Sequence, residues 1–298
     1  YNDNITRGGK WGLINAAGKS IVPPTFDGFK NFSNGLAWVN IGGSNTRFGT
    51  IQGGKWGLID AFGKIILPPT FDGATAFENG LAWINIGGEV DRYGITEGGK
   101  WGLIDATGKM VLAPTFDDIN NFDNGFAWIK SGGTTNSDGI SQGGKWGLID
   151  TTGKIIIAPA FDGVTSFDNG LAWINEGGRP NFDGTTRDGK WGLIDISGRI
   201  IVKPTFEDFK PFDNGLAWVN VGGTPNVNGK IKGGKWGLID TTGKIILPPT
   251  FDGFKNFSNG RAWFNVGGMT DQYGTQGGKW GLIDTSGKII VPLTFDGF

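Results

Sequence analysis

Acids and cations recur along this chain at fixed distances, and they are the first residues to test for chemistry. An aspartate closes each LID triplet (Asp60, Asp105, Asp150, Asp195, Asp240 and Asp284), and Asn15 takes the place in the first copy. A cation follows four residues later: Lys19, Lys64, Lys109, Lys154, Arg199, Lys244 or Lys288. A second acid stands after each repeated Phe: Asp27, Asp72, Asp117, Asp162, Glu207, Asp252 and Asp296. Paired carboxylates do acid–base work only where their surroundings push two pKa values apart, and equal copies offer no such asymmetry. The chain has no His and no Cys. That removes the usual general base, the thiolate nucleophile and the commonest transition-metal ligand. The D-x-x-G-K pattern suits an aspartate that caps its own turn, and the acid after Phe suits an ion pair with the lysine of KWG. The expectation is no catalytic residue, no metal, no cofactor and no enzyme.

Binding chemistry is easier to place. The segments between AW and KWG differ most among copies, and five of them carry an Asx three residues before a Gly: Asp91, Asn136, Asn181, Asn226 and Asp271. Arg47, Arg92, Tyr93 and Tyr273 lie in the same segments. Hydrogen-bonding Asx, cationic Arg and stacking Tyr on exposed loops of a rigid scaffold form a candidate ligand-binding set. The alternative is a loop that varies because little constrains it. Too few carboxylates converge for Ca²⁺.

All 13 Trp fall in two slots. Seven belong to KWG (Trp11, Trp56, Trp101, Trp146, Trp191, Trp236 and Trp280). Six follow Ala in the NGxAW stretch: Trp38, Trp83, Trp128, Trp173, Trp218 and Trp263. The AW rings have two readings, as core packed between sheets or as sugar-stacking platforms. Burial is the cheaper state for such large apolar groups, and the Gly after each KWG Trp would let a neighbouring ring approach.

The elements that position these residues follow from the period. The KWG tryptophans are spaced by 45 residues five times and then by 44, a repeat architecture. In the copy at 53–97, KWGLI reads as a strand and DAFGK as a turn with Gly63 at positive φ. IILPPTF is a second strand whose prolines confine it to an edge, and ATAFENG is a fourth outer strand or a crossing. LAWINI is apolar on both alternating faces, hence buried on both. No window shows a helical period.

Three or four short strands per period predict an all-β chain, with 1–298 as one repeat domain. The favoured architecture is a β-propeller of about seven 45-residue blades. The alternatives are six blades plus an extra hairpin, or an open β-solenoid, which would need polar caps at its ends. Seven KWG hairpins meet only six NGxAW strands, so the last unit reads as incomplete.

With 27 basic and 28 acidic residues the net charge is −1, which lacks the basic footprint of a nucleic-acid binder. No apolar run reaches the roughly 18 residues of a spanning helix, so membrane insertion is not expected. YNDNITRGG has neither a basic nor an apolar leader region, so no secretory signal is expected in the given residues.

The run KWGLIDxxGKxIxxPxFDxxxxFxNGLAWxN resembles the bacterial WG-repeat (KWG repeat) family in every copy. That family's units carry a KWG strand, a D-x-x-G-K turn, a P-x-F/Y-D segment and an F-x-x-G-L-A strand. The Trp after Ala and the long GG-bounded loop depart from its pattern. The resemblance implies a β-repeat fold and secreted or cell-surface material without a general activity. Together these readings predict a scaffold for protein interaction or self-association, with a multivalent carbohydrate-binding lectin as the alternative.

Overall fold

The computed structural model describes residues 9–91, 93–135, 141–181, 185–225, 231–271 and 274–296. They fall into two compact units, Tyr1–Ala160 and Phe161–Phe298. Strand pairs are antiparallel, and neighbours in each sheet are consecutive in the chain except in one sheet, where Leu216–Val221 pairs with Lys235–Asp240 across an inserted two-stranded pair. That pattern is a meander, the blade form of a propeller, and it excludes the rung-on-rung stacking of a solenoid. Among the described residues there are six four-stranded sheets, plus a hairpin of Trp11–Ile14 with Ser20–Phe26 and a short pair of Thr224–Pro225 with Ile231–Lys232.

The first blade shows the plan. Its strands are Gly28–Phe29, Leu36–Asn45, Ile51–Asp60 and Ile65–Phe71, in that spatial order. We call them the short, AW, KWG and proline strands. Blades two to six span 73–116, 118–161, 163–206, 208–251 and 253–295. Each blade draws its first two strands from one sequence copy and its last two from the next.

Local chemistry makes each element. In the short-to-AW connection Asn79 and Gly80 have φ of 51° and 81°, and Glu78 and Leu81 exchange both backbone hydrogen bonds at 2.8 and 3.0 Å. Asn-Gly in that conformation is the two-residue type I′ hairpin. The LID aspartate does cap its turn: Asp60 accepts from the Phe62 and Lys64 N–H groups, both at 2.9 Å. The proline strand lies at the sheet edge, as its missing donors require. It also bulges, because pairing jumps from Trp56↔Phe71 to Leu58↔Leu67. A Cβ on Gly57 would meet Pro69 N at 2.7 Å and Leu67 O at 2.8 Å. This Gly makes room for the bulged backbone rather than for an aromatic ring.

Within each unit the core lies between consecutive blades. In the AW strand Leu36, Ala37, Trp38, Val39 and Asn40 are all buried, so both faces are covered. Trp38 stacks on Phe77 of the next blade at 5.9 Å and meets Phe71 edge-on. Trp218 repeats this with Phe257 at 6.4 Å and also stacks on Phe254 at 4.6 Å. Trp38, Trp83, Trp128, Trp173 and Trp218 are 2–5% exposed, and Trp263 is half-buried. Burial leaves Trp38, Trp83, Trp128, Trp173 and Trp218 no open face on which a sugar could stack. The indole N–H groups of Trp38, Trp83 and Trp218 are buried without a partner, so ring packing outweighs their desolvation.

Candidate binding surface at the hairpin tips

In the first four blades AW and KWG strands of ten residues each form one long hairpin, eleven residues each in the sixth, and its outer half carries the variable loop; in the fifth the two strands are six residues long and a separate short pair forms the outer half. Two side chains hold that half in shape. Asn40 is fully buried. Its Nδ2 donates to Gly53 O at 3.2 Å, and its Oδ1 accepts from Gly43 N at 3.0 Å. Asn85, Asn220 and Asn265 make the same two bonds. The acid after Phe is the second clamp. One oxygen of Asp27 pairs with Lys10 Nζ, and the other accepts from Gly42 N at 2.8 Å. These two donors hold its carboxyl below the usual aspartate range. Asp72 links Lys55 of the first blade to Gly87 of the second, and Asp252 links Lys235 of the fifth to Gly267 of the sixth. The expected Lys–acid pair is thus a stitch between blades.

The loops on this frame are closed by their own polar residues. Asp91 Oδ1 accepts from the Tyr93 and Ile95 N–H groups at 2.8 Å each. Asn181 Nδ2 donates to Thr185 Oγ1 at 2.9 Å, and Thr46 plays the part in the first blade through Thr50 Oγ1 at 2.7 Å. Asp91 and Asn181 thus act as caps of their own loops. Arg92, Asn136, Asn226 and Tyr273 lie outside the described residues, and Asp271 is described only in its backbone, opposite Gly274.

Arg47 and Tyr93 are brought together by a residue the sequence reading passed over. The Arg47 guanidinium lies 4.7 Å over the Phe48 ring, and Phe48 meets Tyr93 at 5.1 Å between centroids. Phe48 and Tyr93 are 46% and 56% exposed, so the pair is a surface platform. Beside it a cleft of about 430 Å³ is lined by Lys10, Asp27, Ser44, Asn45, Thr46 and Arg47. A cleft of about 410 Å³ occupies the corresponding place one blade on, lined by Gln52, Lys55, Asp72, Glu89 and Val90 among others. The signal for Phe48 was present: it alone puts Phe where the same slot of the second copy holds Tyr93.

Such a surface can hold a ligand by stacking, cation–π contact and hydrogen bonding. Among the described residues no three acids converge as a metal site would require. Tandem antiparallel meanders, stitched blade to blade and carrying variable loops on fixed hairpins, define a repeat protein of the propeller-blade type. The "WG containing repeat" family model matches residues 11–44, 56–89, 101–134, 146–179, 191–224, 236–269 and 280–298, and the chain belongs to that family.

No curated protein sequence matches it. Among solved structures, apo AztD from Citrobacter koseri is 16% identical, with 94% of this chain and 76% of that one covered at a TM-score of 0.30. The β-propeller domain of the Trilobed protease from Pyrococcus furiosus is 12% identical, with 92% and 86% covered and a TM-score of 0.30. Neither is close enough to transfer an arrangement or an activity.

Proposed function

We propose that the chain is a non-enzymatic scaffold that binds protein partners or assembles through its hairpin tips, at the cell surface or outside the cell. One observation carries this reading. In most blades the hairpin frame is built the same way, by a buried Asn and an acid clamp, while the tips it holds differ in charge and ring content. A constant frame with varied, exposed tips suits recognition, and exposed aromatic and Arg side chains are the groups that anchor protein interfaces. The cellular placement comes from the family likeness. A carbohydrate ligand is the second reading, favoured by the exposed Phe48–Tyr93 platform beside a polar cleft.

The test compares wild type with the F48A/Y93A variant, matched for thermal unfolding because both rings are exposed. Each is immobilised and challenged with a cell-envelope protein fraction and, separately, with a glycan array. The expected outcome is envelope proteins retained by wild type and reduced at least about tenfold in the variant, the scale on which interface anchors act. Saccharide binding lost in the variant would transfer the assignment to the lectin reading. Equal retention of everything by both proteins would refute the tips as the binding surface.

A further inference from the structure

One cross-strand slot, a single residue beyond a Gly–Gly pair (Gly178↔Asp188 in the fourth blade), separates the six hairpins by charge. It holds Ser44↔Gln52 in the first blade, Thr134↔Gln142 in the third, Thr224↔Lys232 in the fifth and Met269↔Gln276 in the sixth. In the second blade it holds Glu89↔Glu97, and in the fourth Arg179↔Arg187. Like charges directly opposed destabilise their own hairpin. Here the same slot carries such a pair twice, with opposite sign.

The two pairs match in geometry as well as charge. Directly opposed residues lie about 4.5–5.5 Å apart at Cβ, so the two pairs start from the same backbone spacing. In both pairs the AW-strand residue is exposed and the KWG-strand residue is half-buried. None of the four takes part in any ion pair of the described residues. The Arg187 Nε is buried and has no hydrogen-bond partner. Guanidinium and carboxylate meet best in parallel two-bond contacts, and each pair offers two such groups side by side along its hairpin.

We infer that these are the two halves of one self-association contact. The Glu89–Glu97 pair of one chain docks on the Arg179–Arg187 pair of a second copy, and each pair relieves the repulsion within the other. Different patches of the same chain meet, so the contact is head-to-tail and propagates into rings or filaments. The inference rests on the reading of the hairpins as contact surfaces and names a second copy as the partner.

Sedimentation velocity tests it on the full chain. At about 20 mM salt the mean sedimentation coefficient should rise with protein concentration, and at about 500 mM it should return to the monomer value, because exposed charges are then screened. The variants E89R/E97R and R179E/R187E should each weaken self-association at least about tenfold. An equimolar mixture of the two should recover it, since each then offers the charge the other lacks. All four positions are at least partly solvent-exposed, and matched circular dichroism spectra check that the variants fold. Monomers at every concentration and salt, association that the swaps leave unchanged, or a mixture that fails to recover would each overturn the contact. Those results would leave the F48A/Y93A comparison standing, because it reads binding to other molecules.

Discussion

One methylene separates Glu207 from the aspartates that clamp the other hairpins, and the effect is visible around it. Its Oε1 still pairs with Lys190, but its Oε2 is buried with no partner. In the blade that it should clamp, the AW strand stops at Val221, and a separate two-residue pair, Thr224–Pro225 with Ile231–Lys232, carries the outer hairpin. Where aspartate stands, as at Asp72, the strand runs unbroken from Leu81 to Val90. The longer side chain carries its second oxygen away from the backbone N–H that the clamp needs. Glu207→Asp should restore the bond and raise stability by about 0.5–1.5 kcal/mol, read as a later urea midpoint with slower exchange of the Gly222 amide. An unchanged midpoint and unchanged exchange would mean that the acid does not hold the hairpin. The sequence shows the Glu for Asp exchange plainly. That it matters is legible only once the acid is known to bridge two blades.

At the level of the blade, the third departs from its siblings. Asn40, Asn85, Asn175, Asn220 and Asn265 are buried at one AW-strand position, and Lys130 is buried there instead. Its directly opposed neighbour is Asp118, in the slot that holds Gly28, Gly73, Gly163 and Gly253 in four other blades. Burial pushes the Asp118 carboxyl up and the Lys130 amine down, and the attraction between them offsets part of both shifts. The Lys130 ammonium also lies 5.2 Å over the Trp146 ring. Buried ion pairs are often no better than a well-packed neutral replacement, whereas removing one partner is costly. The double variant D118G/K130N, which copies the other blades, should therefore gain about 1–3 kcal/mol, while D118G alone should lose up to about 3–5 kcal/mol. Thermal unfolding of the two side by side decides it, and a double variant no more stable than wild type contradicts the account. FAWIKSGG among copies reading LAWINIGG was an outlier open to inspection. A polar residue at the end of an apolar strand looks solvent-exposed until the hairpin is seen to bury it. The DxxGK caps, the edge prolines and the doubly buried AW strand were legible, because each is decided within a few residues.

Across the whole molecule the repeated turn aspartates act in concert. Neighbouring hydroxyl groups hold Asp105, Asp150 and Asp284 below the ordinary carboxylate range. At Asp195 and Asp240 partial burial pushes upward, and the hydroxyl and backbone donors outweigh it. A carboxylate whose pKa is lower folded than unfolded contributes stability above its unfolded value of about 3.9, and loses it as pH falls through the folded value. The melting temperature should thus stay level from pH 7 to about 5 and drop below about pH 4, as several caps protonate together. Asp118, with its raised carboxyl, is one group working the other way. A melting temperature that rose on acidification would contradict this. The blade boundaries were not legible, since a self-similar sequence has no natural starting point and only strand pairing chooses one. The choice it makes, with every four-stranded sheet shared between two copies, bears on how such a gene can change. A duplication or loss of one period can start at any codon, because what is cut from one sheet is made good by an equivalent stretch of its neighbour. Recombination need not respect the edges of the architecture to leave whole blades behind.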